Sequence, residues 1–250
     1  MKATIYTSGI VVDPDSNKVS PIDRDVFFKL KDMGHRSIKV YFDYPAGREK
    51  NYDRITGTYG RYPYLLKSID NALLDYDRAN IGLQFVVTNE NYNDIDEVML
   101  FCLQNKIQTI KFLAFVPQGR GEENKDSLLI PDKLLSSIRE QLILYQKIYT
   151  DHIDVKIGTY LRKETEGITC SACKGYKLVV TPYGQYHTCE AFKNISIPED
   201  IKIYRSIFEF EKDNNERRIS AENKILDKYY HNNLSEGFCP VQAYIKDKLE

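Results

Sequence analysis

From Ala3 to about Leu161 two apolar rhythms alternate along the chain, one with the period of a strand and one with the period of a helix. ATIYTSGIVV is β-branched and aromatic and breaks at Ser8-Gly9, which predicts a strand running into a turn. IDRDVFFKLKDMG then sets Val26, Phe27 and Leu30 at helical spacing and meets Gly34, a residue type suited to the end of a helix. HRSIKVYFDY reads as a strand, and GRYPYLLKSIDNALLDYD as a helix with Leu65, Leu66, Ile69 and Leu73 on one face. IGLQFVVTN is a near-continuous apolar run, the pattern of a parallel strand covered on both faces.

NDIDEVMLFCLQNK predicts a helix capped by Asn93, with Ile95, Val98, Met99 and Cys102 inward. The strand TIKFLAFV, the loop PQGRGEENKDS, a helix from Pro131 with a stripe of Leu135, Ile138, Leu142 and Tyr145, and the strand HIDVKIGTYL complete the series. Strands separated by helices of this length imply a parallel sheet with right-handed crossovers, either open or part of a barrel. Beyond Leu161 the texture changes. YKLVVTP and QYHTCEAF read as two short strands around Pro182-Tyr183-Gly184, and IYRSIFEFEKD and ISAENKILDKYYHN as helical. The expected organisation is an α/β domain over residues 1–162 and a small cysteine-rich α+β domain with a β-hairpin over 163–250.

The composition, 42% hydrophobic and 28% charged with a net charge of −1, is that of an ordinary globular protein without global attraction for nucleic acid or anionic membrane. The first residues lack the apolar core of a signal peptide, and no apolar run reaches membrane-spanning length, so a cytoplasmic location is expected. Thiols stay reduced there, and clustered cysteines are better read as metal ligands than as disulfides. Cys170, Cys173 and Cys189 fall in the order C-x2-C-x10-G-x4-C, and Cys239 follows in GFCPVQ. Such soft donors fit an iron–sulfur cluster, or a zinc ion held by four cysteines or by three and His187. Cys102, on an apolar helical face, reads as a small hydrophobe. Asp43, ending a strand, either faces a ligand at the sheet's carboxyl edge or caps a turn. Arg120 either holds a carboxylate or phosphate or is a solvated loop residue.

In their order, these segments resemble the radical S-adenosylmethionine (SAM) superfamily with a SPASM or twitch auxiliary domain. Tyr6-Thr7-Ser8-Gly9 is similar to the family's Thr-Asn-Gly strand end, and Val40-Tyr41-Phe42-Asp43 to its Ser-Leu-Asp strand. Tyr52-Asp53-Arg54-Ile55-Thr56-Gly57 is similar to its Asp-x-Ile-Arg-Gly loop, Asn91 to the Asn after the next strand, and Pro117-Gln118-Gly119-Arg120 to its Pro-x-Gly-Arg. Cys173-x10-Gly184-x4-Cys189 fits its C-x9–15-G-x4-C. The resemblance implies an incomplete parallel (β/α) barrel of radical SAM type, with Asp43, Asn91 and Arg120 near the cofactor. It also implies that Cys170, Cys173, Cys189 and Cys239 close an auxiliary 4Fe-4S cluster.

The defining C-x3-C-x2-C of the SAM-cleaving cluster is absent from these residues. The expectation is therefore the C-terminal portion of an enzyme that modifies a peptide or small metabolite. SAM would be used only in the complete enzyme, with an N-terminal fragment, a partner chain or a second copy covering the open barrel edge. The alternative is a zinc-stabilised, non-catalytic binding or scaffold protein.

Overall fold

The computed structural model describes residues 3–32, 38–117, 120–158, 161, 179–180, 186–189, 192, 207–232 and 247. The chain divides into two compact units, Met1–Arg162 and Lys163–Glu250.

The first unit is a mixed α/β fold around a five-stranded parallel sheet. Its strands are β1 (Ala3–Thr7), β4 (Ile38–Asp43), β5 (Ile81–Val87), β6 (Thr109–Ala114) and β7 (Asp154–Ile157). They lie side by side in chain order, β1-β4-β5-β6-β7, every pair parallel. An order that never reverses makes successive right-handed crossovers advance the same way, so the helices collect on one face. Phe27 of α1 (Arg24–Asp32), Leu65 and Ile69 of α3 (Tyr62–Asp75), Val98 and Cys102 of α4 (Ile95–Asn105), and Ile138 and Leu142 of α7 (Asp132–Ile148) accordingly share one core. The sheet contributes Val40, Phe42, Leu83, Phe85, Ile110, Phe112, Val155 and Ile157 to that core, all on the helix side. Burying each such side chain is worth about 2 kcal/mol. The arrangement is compatible with part of a (β/α) barrel.

Four local features differ from the sequence expectation. A short antiparallel hairpin, β2 (Ile10–Val12) with β3 (Val19–Pro21), follows β1, its turn closed by Asp13 Oδ1 accepting from the amides of Asp15 and Ser16. The segment matched to an Asp-x-Ile-Arg-Gly loop is mostly helical. It belongs to α2 (Glu49–Thr56), which buries Tyr52 and ends on Gly57 at φ 64°, a left-handed position that glycine adopts without strain. Asn93 lies in a 3-10 turn, Tyr92–Asp94, and the residue flanking α4 is Asp94. The expected loop after Pro117 contains two single-turn helices, α5 (Arg120–Glu123) and α6 (Lys125–Leu128). Gly34 lies outside the described residues.

In the second unit β8 (Val179–Val180) pairs antiparallel with β9 (Tyr186–His187), and α8 (Ile207–Asn232) is a single long helix. No helix among the described residues is long and apolar enough to cross a membrane.

Candidate functional site

Strand residues alternate between two faces, so the registers that put apolar side chains under the helices put a different set on the opposite face. Two cross-strand rows lie there. One runs Tyr6, Tyr41, Gly82, Thr109, Asp154, and the next runs Asp43, Gln84, Lys111, Lys156 across β4 to β7. Tyr41 is 2% exposed, and its ring stacks on that of Tyr6 at 5.5 Å between centroids. Gly82 makes room for it: a Cβ at that position would stand 2.6 Å from the Tyr41 ring.

Lys111 donates to the Tyr6 hydroxyl at 2.6 Å, and its Nζ stands 4.2 Å from the Tyr41 centroid, a cation–π distance. Lys156 pairs with Asp154 at 3.0 Å. Burial pulls the Lys156 pKa down, but hydrogen bonds with Asp154 and Tyr41 outweigh it and the net direction is up. The Tyr41 ring thus lies under the Lys111 ammonium, and Tyr41 also contributes to the upward shift of Lys156.

Asp43 sits at the carboxyl end of β4 and accepts from the Gln84 amide at 2.9 Å. Burial raises its pKa above the ordinary carboxylate value, and the Gln84 hydrogen bond opposes the shift. Asn91 is fully buried. Its Oδ1 accepts from the Thr88 amide at 2.7 Å, and its Nδ2 donates to the carbonyls of Pro45 and Val86 at 2.7 and 2.8 Å. Both of its donors are therefore engaged in tying the loop after β5 to the loop after β4. Asp94 adds to the same tie by accepting from the Gly47 amide and the Asn51 side chain, while Arg48 pairs with Glu97. Arg120 opens α5, and its side chain lies outside what is described. Lys111 and Lys156 were not singled out from the sequence. Their signal was a lone lysine inside each of two strand segments, TIKFLAFV and HIDVKIGTYL.

In the second unit Cys189 is half-buried, whereas Cys170, Cys173 and Cys239 lie outside the described residues. Among the described residues no three His, Cys, Asp or Glu side chains group as metal ligands. One observation does bear on a metal. His187 is buried, its Nδ1 is 2.7 Å from Oε1 of the fully buried Glu222, and its Nε2 is buried without a hydrogen-bond partner among the described residues. The other Glu222 oxygen accepts from the amide and hydroxyl of Thr188 at 2.6 and 2.8 Å. A carboxylate that holds one imidazole nitrogen and leaves the other unpaired is how ligating histidines are oriented. Cys189 stands two residues further on. Cys102, by contrast, is fully buried in the core of the first unit, and burial raises its thiol pKa.

The fold and this site define an α/β protein with a chain-order parallel sheet, a helix-covered face and a polar opposite face. No family model matches the chain. An Fe-coproporphyrin III synthase of Methanosarcina barkeri is 28% identical over 123 residues, which are 49% of this chain and 27% of that protein. The match thus spans about a quarter of the relative's length. It is distant and partial.

Proposed function

We propose that the chain is the C-terminal portion of a radical SAM-type iron–sulfur enzyme, its first unit contributing barrel strands and its second an auxiliary cluster domain. The observation that carries this reading is the partial likeness to the synthase, which accompanies a sheet in barrel-like strand order. Cys170, Cys173, Cys189 and Cys239 would hold a 4Fe-4S cluster. Four thiolates leave no open iron, so such a cluster would supply electron transfer or structural support. The polar sheet face would receive a small metabolite or peptide, with Asp43 at its edge.

These 250 residues contain no C-x3-C-x2-C, so SAM cleavage would depend on cysteines supplied by another segment or chain. Strand β1 pairs with β4 alone among the described residues, and Ile5 and Tyr6 are exposed on it. A further strand from that segment, a partner or a second copy would cover this edge. A cytoplasmic location, where thiols stay reduced, belongs to this reading.

A zinc-stabilised scaffold is the second reading. It draws on the unpartnered Nε2 of His187, because zinc takes three thiolates and one imidazole readily. Anaerobic purification followed by iron, sulfide and zinc quantification separates the two. About four irons and four sulfides per chain support the cluster; stoichiometric zinc without iron rejects it in favour of the scaffold.

A further inference from the structure

We propose that the face of the sheet opposite the four core helices carries an oxyanion seat, built from Lys111 and Lys156, for the carboxylate or phosphate group of a small molecule. The two lysines are register partners on adjacent strands, β6 and β7. Adjacent strands lie about 4.8 Å apart, which lets two ammonium groups bracket one oxyanion. Like charges directly opposite one another across a strand pair are unfavourable unless an anion relieves them. Asp154 relieves Lys156, at 3.0 Å. Lys111 has no carboxylate partner among the described residues, and its contacts are the Tyr6 hydroxyl and the two tyrosine rings. Cation–π contact holds an ammonium in place without cancelling its charge. Asp43 lies in the same row, but two strands from Lys111, roughly 10 Å away, and is engaged with Gln84.

Among the described residues the cation is therefore positioned and left uncompensated, which is the condition an incoming anion needs. Its position is built in. Gly82 admits the Tyr41 ring, Tyr41 supports Lys111 from below, and the Tyr6 hydroxyl fixes the direction of the ammonium. Tyr6 is 49% exposed and presents a flat apolar surface beside the charge, suited to the organic body of the ligand. Lysine is a point charge without the planar fork of arginine, so carboxylate and phosphate both belong to the ligand class. The seat does not depend on the iron–sulfur reading, since it is built from lysine and tyrosine side chains and needs no metal.

Isothermal titration of the full chain with citrate and, separately, with pyrophosphate tests the proposal at low salt. Wild type is expected to bind at least one of them, citrate alone marking a carboxylate seat and pyrophosphate alone a phosphate seat. Lys111→Met and Lys156→Met should each weaken that binding about tenfold or more, and the double variant should abolish it. Lys111→Arg should retain it. Tyr6→Phe, at an exposed position, removes the hydroxyl that orients Lys111 and should weaken binding even if the lysine variants fold poorly. No binding of either probe by wild type, or binding that the double variant and Tyr6→Phe leave unchanged, overturns the proposal. Iron and zinc assays on the same samples report on the cluster separately, so the two readings fail independently.

Discussion

The two faces of the five-stranded sheet are made from alternate residues of the same strands, and they have opposite characters. On one, Phe42, Leu83, Phe85, Ile110 and Phe112 lie fully buried against four helices. On the other, Asp43, Gln84, Lys111 and Lys156 form a polar row one residue out of phase. Because the side-chain period is two, a one-residue slip in pairing would exchange the faces, bringing the charged row under the helices. The cost of burying those charges is what locks the register. Apolar burial is therefore concentrated on one face, and the other carries the charged groups.

This contrast can be broken in several ways, the largest effect coming from the helix side. Phe85→Ala should cost about 4 kcal/mol in urea unfolding, from lost burial and the cavity left beside Phe112. A cost under about 1 kcal/mol would mean that the helix face is not the main core. Gly82→Ala acts on the opposite face and should cost about 2 kcal/mol, because its methyl meets the Tyr41 ring and stands 3.1 Å from the Thr109 carbonyl oxygen. Pairing it with Tyr41→Ala should recover part of that loss in a double-mutant cycle, and additivity of the two would deny the contact.

A smaller effect is expected from Asp43 and should appear as a pH dependence. Its folded pKa is raised by burial, so the folded chain holds the proton more tightly than the unfolded chain does. Stability from the protonated form is complete below the unfolded value, about pH 4, and is lost as pH rises through the raised folded value. Asp43→Asn removes the titration, so its stability advantage over wild type should widen from about pH 4 upward. Parallel stability–pH curves for the two proteins would contradict the burial of Asp43. Smallest of all, Lys111→Met should shift stability by no more than about 0.5 kcal/mol while weakening anion binding. A loss of several kcal/mol would make Lys111 a structural residue and merge the two faces into one.

Helical periodicity made much of the covered face legible. Ile95, Val98, Met99 and Cys102 were expected inward on α4 and are all buried, and Ile138 and Leu142 hold the same position on α7. Where a motif was allowed to override periodicity the expectation failed. YDRITG resembles a loop signature, although Tyr52 and Ile55 stand three residues apart and turn one side of a helix toward the interior. Asn93 has the chemistry of a helix cap, yet the chain makes a 3-10 turn first and begins α4 at Ile95. The hairpin β2–β3 was missed because its turn is closed by a single aspartate side chain rather than by a recognisable glycine pair.

Taken alone, the sequence determined what local chemistry can determine: the alternation of strand and helix, the apolar stripes, the grouping of cysteines around Gly184, and the residues available for chemistry. It could not say which of them meet. Lys111 and Tyr6 are 105 positions apart, and they touch only because β1, β4, β5 and β6 pair in a particular register. Glu222 reaches His187 across 35 positions. Local propensity carries no information about such encounters, which depend on long-range pairing energies and on the cost of burying a charge on the wrong face. For that reason the polar row of the sheet and the carboxylate behind His187 emerged only in the folded chain.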